Sequence, residues 1–181
     1  MNPTDELNKL TSLFPEGESL FERAEHVPSA LTPEPYKQLL VHEHHMTVTM
    51  EEFHRTPVVV KVLQRKSDKD IYSRKILLTR SDNGEVVQFG IVRFDLGVVL
   101  PAVREEILSE KTPLGRILIN YNVLRHIDLG AILQIAAGPG LSQLFGCQKG
   151  EITFGRLATI FCNQCPAVDL LEVAAPLEIT R

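Results

Sequence analysis

The stretch VHEHHMTVTMEEFH, residues 41–54, holds four of the chain's six histidines and three glutamates. Imidazole and carboxylate groups at such spacing can ligate a divalent metal: on an extended strand His42 and His44 share a face, with His45 or Glu51 to recruit. Glu51 stands too far from His44, however, and no second histidine motif follows on a later strand. The segment CNQC supplies Cys162 and Cys165 at a spacing that makes half of a zinc site, and no second pair of ligands completes it. As a redox pair it lacks the strand leading into a helix that lowers a thiol pKa. With Cys147 the cysteines are three, an odd number that argues against a disulfide framework and for free thiols. No metal is expected.

Four other features carry chemistry of a different kind. Arg74 lies in YSRKILLT, a basic residue in an apolar, β-compatible run, and Arg93 in GIVRFDL is its counterpart on the next strand. Isolated arginines on antiparallel strands ordinarily face water. In KTPLGR, Gly115 permits close approach and the backbone around Leu114 has free amides to offer an anion. Glu172 in LLEVAAP is a single carboxylate among aliphatic residues. It sits at a sheet edge in water or inside with a partner, since carboxylates are seldom buried alone.

The elements that must position these groups read as follows. Residues 1–35 contain five prolines and only short helical possibilities such as ESLFERA, and are expected to be a loosely structured lead-in. MTVTMEEF reads either as a helix, with Thr47 or Thr49 as cap and Glu52 completing a capping box on Thr49, or as a strand with Met46, Val48 and Met50 on one face. TPVVVKVLQRK (56–66) and IYSRKILLTR (71–80) form a hairpin, and the Asn-Gly turn in SDNG leads into EVVQFGIVRFDL as a third strand. PAVREEILSE is a helix with proline in its first turn. HIDLGAILQIAAG, EITFGRLATIFCN and VDLLEVAAP are further strands. This makes one α+β domain over residues 1–181, dominated by an antiparallel sheet.

Bulk properties set the outer bounds. A chain of 181 residues with 44% apolar and 23% charged residues has enough material for one buried core. It has no apolar run long enough to span a bilayer and no secretory leader, so no membrane partner and a cytoplasmic location are expected. A net charge of −4 argues against a nucleic-acid partner, which would need clustered cations.

In order along the chain, the Met46-Thr47 pair, SRKILL, the Asn-Gly-Glu turn, KTPLGR and LLEVAAP resemble the bacterial chorismate pyruvate-lyase family over about residues 40–178. The resemblance implies a single antiparallel sheet of about six strands, with helices on one side and helical flaps over an internal ligand pocket. It implies a carbon-oxygen lyase that converts chorismate to 4-hydroxybenzoate and pyruvate without cofactor or metal. Arg74 would hold the ring carboxylate, the amides of Met46 and Leu114 would assist, and Glu172 would face the 4-hydroxyl end. Arg74 and Glu172 are thus the expected catalytic residues, and Met46 and Leu114 complete the substrate-binding set. An apolar enclosure would let Glu172 share or donate a proton. The histidine cluster, the glycine-rich segment 138–150 and the CxxC depart from familiar members.

The alternative is a non-catalytic domain of the same fold that binds an aromatic acid. Regulators of this kind carry an N-terminal helix-turn-helix domain, for which residues 1–40 are too short and too rich in proline. Either way the partner is a small molecule, and the sequence leaves the oligomeric state open.

Overall fold

The computed structural model describes residues 2–179. Its frame is one antiparallel sheet with strand order β1-β5-β6-β7-β4-β3-β2. The strands are β1 (Phe21–Val27), β2 (Val58–Asp68), β3 (Ile71–Arg80), β4 (Val86–Asp95), β5 (Arg125–Ala137), β6 (Ile152–Cys162) and β7 (Cys165–Ala174). The meander β2-β3-β4 forms as the turn residues dictate, with Gly84 at φ +76° closing the β3-β4 connection. Asn163 and Gln164 both take positive φ to close the β6-β7 hairpin, so Cys162 and Cys165 are paired across a tight turn, one buried and one exposed.

Six helices accompany the sheet among the described residues: α1 (Pro3–Thr11), α2 (Tyr36–Leu40), α3 (Met46–His54), α4 (Pro101–Ser109), α5 (Leu114–Asn120) and α6 (Pro139–Phe145). The fold is α+β around a single antiparallel sheet, as expected, with seven strands. One face, made by the even-numbered residues of β3, β4, β6 and β7, is covered by α2 to α5. Helices also cover the second face: Leu77, Phe89, Ile91, Leu171 and Val173 pack there against Leu7 and Leu10 of α1 and Leu141 of α6. Strands apolar on both sides leave no other solution, since each aliphatic side chain fully removed from water contributes roughly 1.5–3 kcal/mol.

The N-terminal segment is the main correction to the sequence reading. Asn2 caps α1 by accepting a bond from the Thr4 amide at 3.0 Å, and Pro3 stands where its missing N–H costs nothing. The residues FERAEHV form β1, not a helix, because β5 offers them a complete ladder from Phe21 opposite Ala137 to Val27 opposite Ile132. Long-range pairing here outweighs local helical preference.

Candidate functional site

The pairing register puts the chemistry on one face. Arg74, Val92 and Leu170 form one rung across β3, β4 and β7, and Ile76, Gly90, Glu172 and Arg156 form the next across β3, β4, β7 and β6. Arg74 and Glu172 therefore point to the same side, roughly 7 Å apart along the strands and about 9–10 Å across them. Gly90 lies between their strands without a side chain to fill the space; a methyl there would meet Ile76 Cγ1 at 3.2 Å. A cavity of about 30 Å³ opens above this floor, lined by Arg74, Gln88, Gly90, Arg156 and Glu172 from the sheet. In this closed state it has room for a water or two, so a six-membered ring enters only if the roof gives way.

That roof consists of two helix N-termini. Met46 and Thr47 begin α3, Leu114 and Gly115 begin α5, and all four line the cavity. Neither helix has a side-chain cap: His45 and Pro113 hold the N-cap positions without a capping bond. First-turn amides have no acceptor within their own helix, and they carry the positive end of the dipole. MTVTMEEF is thus a helix that starts at Met46. The expected cap from Thr47 or Thr49 does not form, and Thr49 Oγ1 instead bonds back to the His45 carbonyl at 3.3 Å. Gly115 lets the two termini meet, for a methyl there would lie 2.8 Å from His45 Cβ and 3.0 Å from Thr47 Oγ1.

Beneath the roof, Arg74 is fully buried, and its Nε and Nη1 have no hydrogen-bond partner among the described residues. Its guanidinium lies 5.3 Å from the centre of the Phe94 ring. Burial pulls its pKa down, a trend that nearby Tyr72 and Glu110 oppose. The Tyr72 hydroxyl donates to Glu110 at 2.5 Å, and burial together with that bond pushes its own pKa up to about 12. Arg93, by contrast, points to the opposite face, is partly exposed and lies 3.6 Å from Asp169.

Glu172 is not alone among aliphatic residues. Arg156, 1% exposed, donates from Nε to Glu172 Oε2 at 2.7 Å, from Nη1 to the His42 carbonyl at 2.9 Å and from Nη2 to the His44 carbonyl at 3.0 Å. The enclosure around Glu172 is thus not wholly apolar, since it contains the Arg156 guanidinium. The sequence reading missed Arg156, although FGRLAT has the same signal as YSRKILL, a single arginine inside an apolar strand.

The histidines serve this arrangement as neutral acceptors. His42 Nε2 donates to the Leu39 carbonyl at 2.7 Å, while its Nδ1 accepts from the His44 amide at 3.1 Å and faces Arg156 Nη1 at 3.3 Å. His45 Nε2 accepts from Arg125 Nε at 2.6 Å. Burial, and then the neighbouring guanidinium of Arg156 or Arg125, brings both rings down to a pKa of about 4. An unfolded histidine takes a proton near pH 6.5, and these do not until about pH 4, so stability is full above pH 6.5 and is lost as pH falls from there to about 4. The loss should total on the order of 3 kcal/mol, allowing for the partly exposed His42 ring. Urea unfolding at pH 7, 5.5 and 4.5 measures it, and the His42→Gln/His45→Gln protein should show a flatter profile. An unchanged slope would show that other groups set the acid limit.

No protein-family model and no curated protein sequence matches the chain. Solved structures do. PhnF from Mycobacterium smegmatis superposes with a TM-score of 0.53 at 10% identity, over 77% of this chain and 67% of that one. Its effector domain alone gives 0.53 at 11% identity, over 76% and 91%. The ligand-binding domain of a GntR-family transcriptional regulator from Bordetella bronchiseptica gives 0.50 at 12% identity, over 68% and 92%. Likeness at these identities establishes the fold, which is the one shared by such effector (UTRA) domains and chorismate lyase. Fold leaves activity open. No helix among the described residues is long and apolar enough to cross a membrane.

Proposed function

We propose that the cavity is a binding site for an aromatic or cyclohexadiene carboxylate and that the chain acts on chorismate, releasing 4-hydroxybenzoate and pyruvate. One observation carries the reading: a fully buried guanidinium with two unpartnered nitrogens faces a cavity roofed by two uncapped helix N-termini. Such a constellation lacks only an anion. A planar carboxylate matches Arg74 with charge-assisted bonds worth roughly 1.5–3 kcal/mol each, and the Met46 and Leu114 amides complete its shell.

The rest of the reaction asks little of the protein. The C4 proton leaves, its bonding pair joins the ring, the C3–O bond breaks, and the enolpyruvate that departs takes up a proton to become pyruvate. Aromatisation provides the driving force. Glu172, ion-paired to Arg156, acts as a carboxylate that accepts from the 4-hydroxyl and orients the ring. A ligand that fills the enclosed cavity leaves little water to screen these charges.

The second reading, a non-catalytic binder of an aromatic acid, is favoured by the likeness to regulator effector domains. Incubating the purified protein with chorismate and assaying 4-hydroxybenzoate and pyruvate separates the two. The lyase reading expects both products in equal amounts, unaffected by a chelator. Tight binding of 4-hydroxybenzoate with chorismate left intact would establish the effector-like reading instead.

A further inference from the structure

We infer that Gln88 is a specificity residue that holds the enolpyruvyl arm of the substrate. The inference rests on the lyase reading and extends it to a part of the ligand that Arg74 and Glu172 do not reach. Gln88 is 2% exposed, lines the cavity, and stands on β4 in the rung of Leu78 and Ala174, one pleat repeat beyond the rung of Glu172. That places it about 7 Å further from Arg74 than Glu172 is along the strand direction. Its Oε1 is sealed from solvent and has no hydrogen-bond partner among the described residues. A buried carbonyl oxygen left unmatched is costly, which makes the Gln88 amide a group that a bound molecule can satisfy.

The chemistry of the substrate supplies one. Chorismate is a dianion, and its second carboxylate ends the ether arm on C3, next to the carbon that bears the 4-hydroxyl. With the ring carboxylate on Arg74 and the hydroxyl toward Glu172, that arm runs on toward Gln88. The other cation lining the cavity, Arg156, already spends Nε, Nη1 and Nη2 on Glu172 and the His42 and His44 carbonyls. Gln88 can present a donor to the arm at this end of the cavity, since a half-turn about χ3 exchanges its oxygen and its NH2 group. A neutral donor suits a leaving group: it positions the arm and lets pyruvate go.

The product lacks this arm, and this makes the test specific. Gln88→Leu, near in volume and free of the unmatched amide, should fold at least as stably as the parent. Its kcat/KM for chorismate should fall by about tenfold or more, while its Kd for 4-hydroxybenzoate stays within about twofold. Gln88→Glu, which sets like charge against the arm, should lose more on chorismate than Gln88→Leu does. Equal weakening of both ligands, no weakening of either, or a Gln88→Glu protein as active as the parent would each overturn the inference. A parent protein that neither binds nor converts chorismate would sink the lyase reading itself, and the arm assignment with it.

Discussion

Replacing Arg74 with methionine is expected to raise the melting temperature of the ligand-free protein by several degrees and to weaken 4-hydroxybenzoate binding by one to two decades. The two effects have one origin. Arg74 is fully buried, with Nε and Nη1 unpartnered among the described residues and only the Phe94 ring and the nearby Tyr72 and Glu110 to offset the penalty. A cation–π contact returns about 0.5–2 kcal/mol, whereas each unmatched charged donor costs about 1–3. Methionine keeps the aliphatic stem against Phe94 and removes the unmet charge. A net gain of about 1–3 kcal/mol corresponds to roughly 2–10 °C in a chain of this size. Binding moves the other way, because the carboxylate loses charge-assisted bonds worth about 1.5–3 kcal/mol. Thermal melts with and without 4-hydroxybenzoate, together with calorimetric titration, measure both. A variant that melts lower than the parent while binding equally well would mean that Arg74 is structural and the cavity takes something else.

This coupling also explains what was legible in the sequence. Arg74 and Glu172 stand out as charged residues in apolar strands and take their roles from the resemblance, but periodicity does not show their common face, because β3 and β4 are buried on both sides over most of their length. Alternation reports a face only where one side is wet. The meander and the β6-β7 hairpin were readable because turn residues fix them locally. β1 was not, since its partner β5 lies about a hundred residues away and a count of prolines carries no information on it. Arg156 and Gln88 escaped for another reason: an isolated polar residue in a strand is ordinarily solvated, and only the register shows these two turned inward. The histidines stood out by number, yet their role is that of neutral acceptors for Arg156 and Arg125, which spacing alone does not encode.

Arg156 should prove the most expensive side chain in the site to remove. It joins Glu172 on β7 to the carbonyls of His42 and His44, the segment that leads into the N-terminus of α3. Arg156→Met leaves a mostly buried carboxylate without its counter-charge and two carbonyls without donors. Breaking a buried pair from one side costs about 3–5 kcal/mol, a fall of roughly 6–20 °C in melting temperature. Adding Glu172→Leu should recover a large part of that loss, because an apolar pair of similar volume tolerates the same burial. Affinity for 4-hydroxybenzoate should not recover with it, since the 42–45 segment no longer holds the α3 amides in place and Glu172 no longer meets the hydroxyl. A double-mutant cycle in urea, run beside binding titrations, separates these effects. Strict additivity of the two substitutions would show that the pair is not coupled, and restored affinity in the double variant would show that neither the Arg156 tether nor Glu172 positions the ligand.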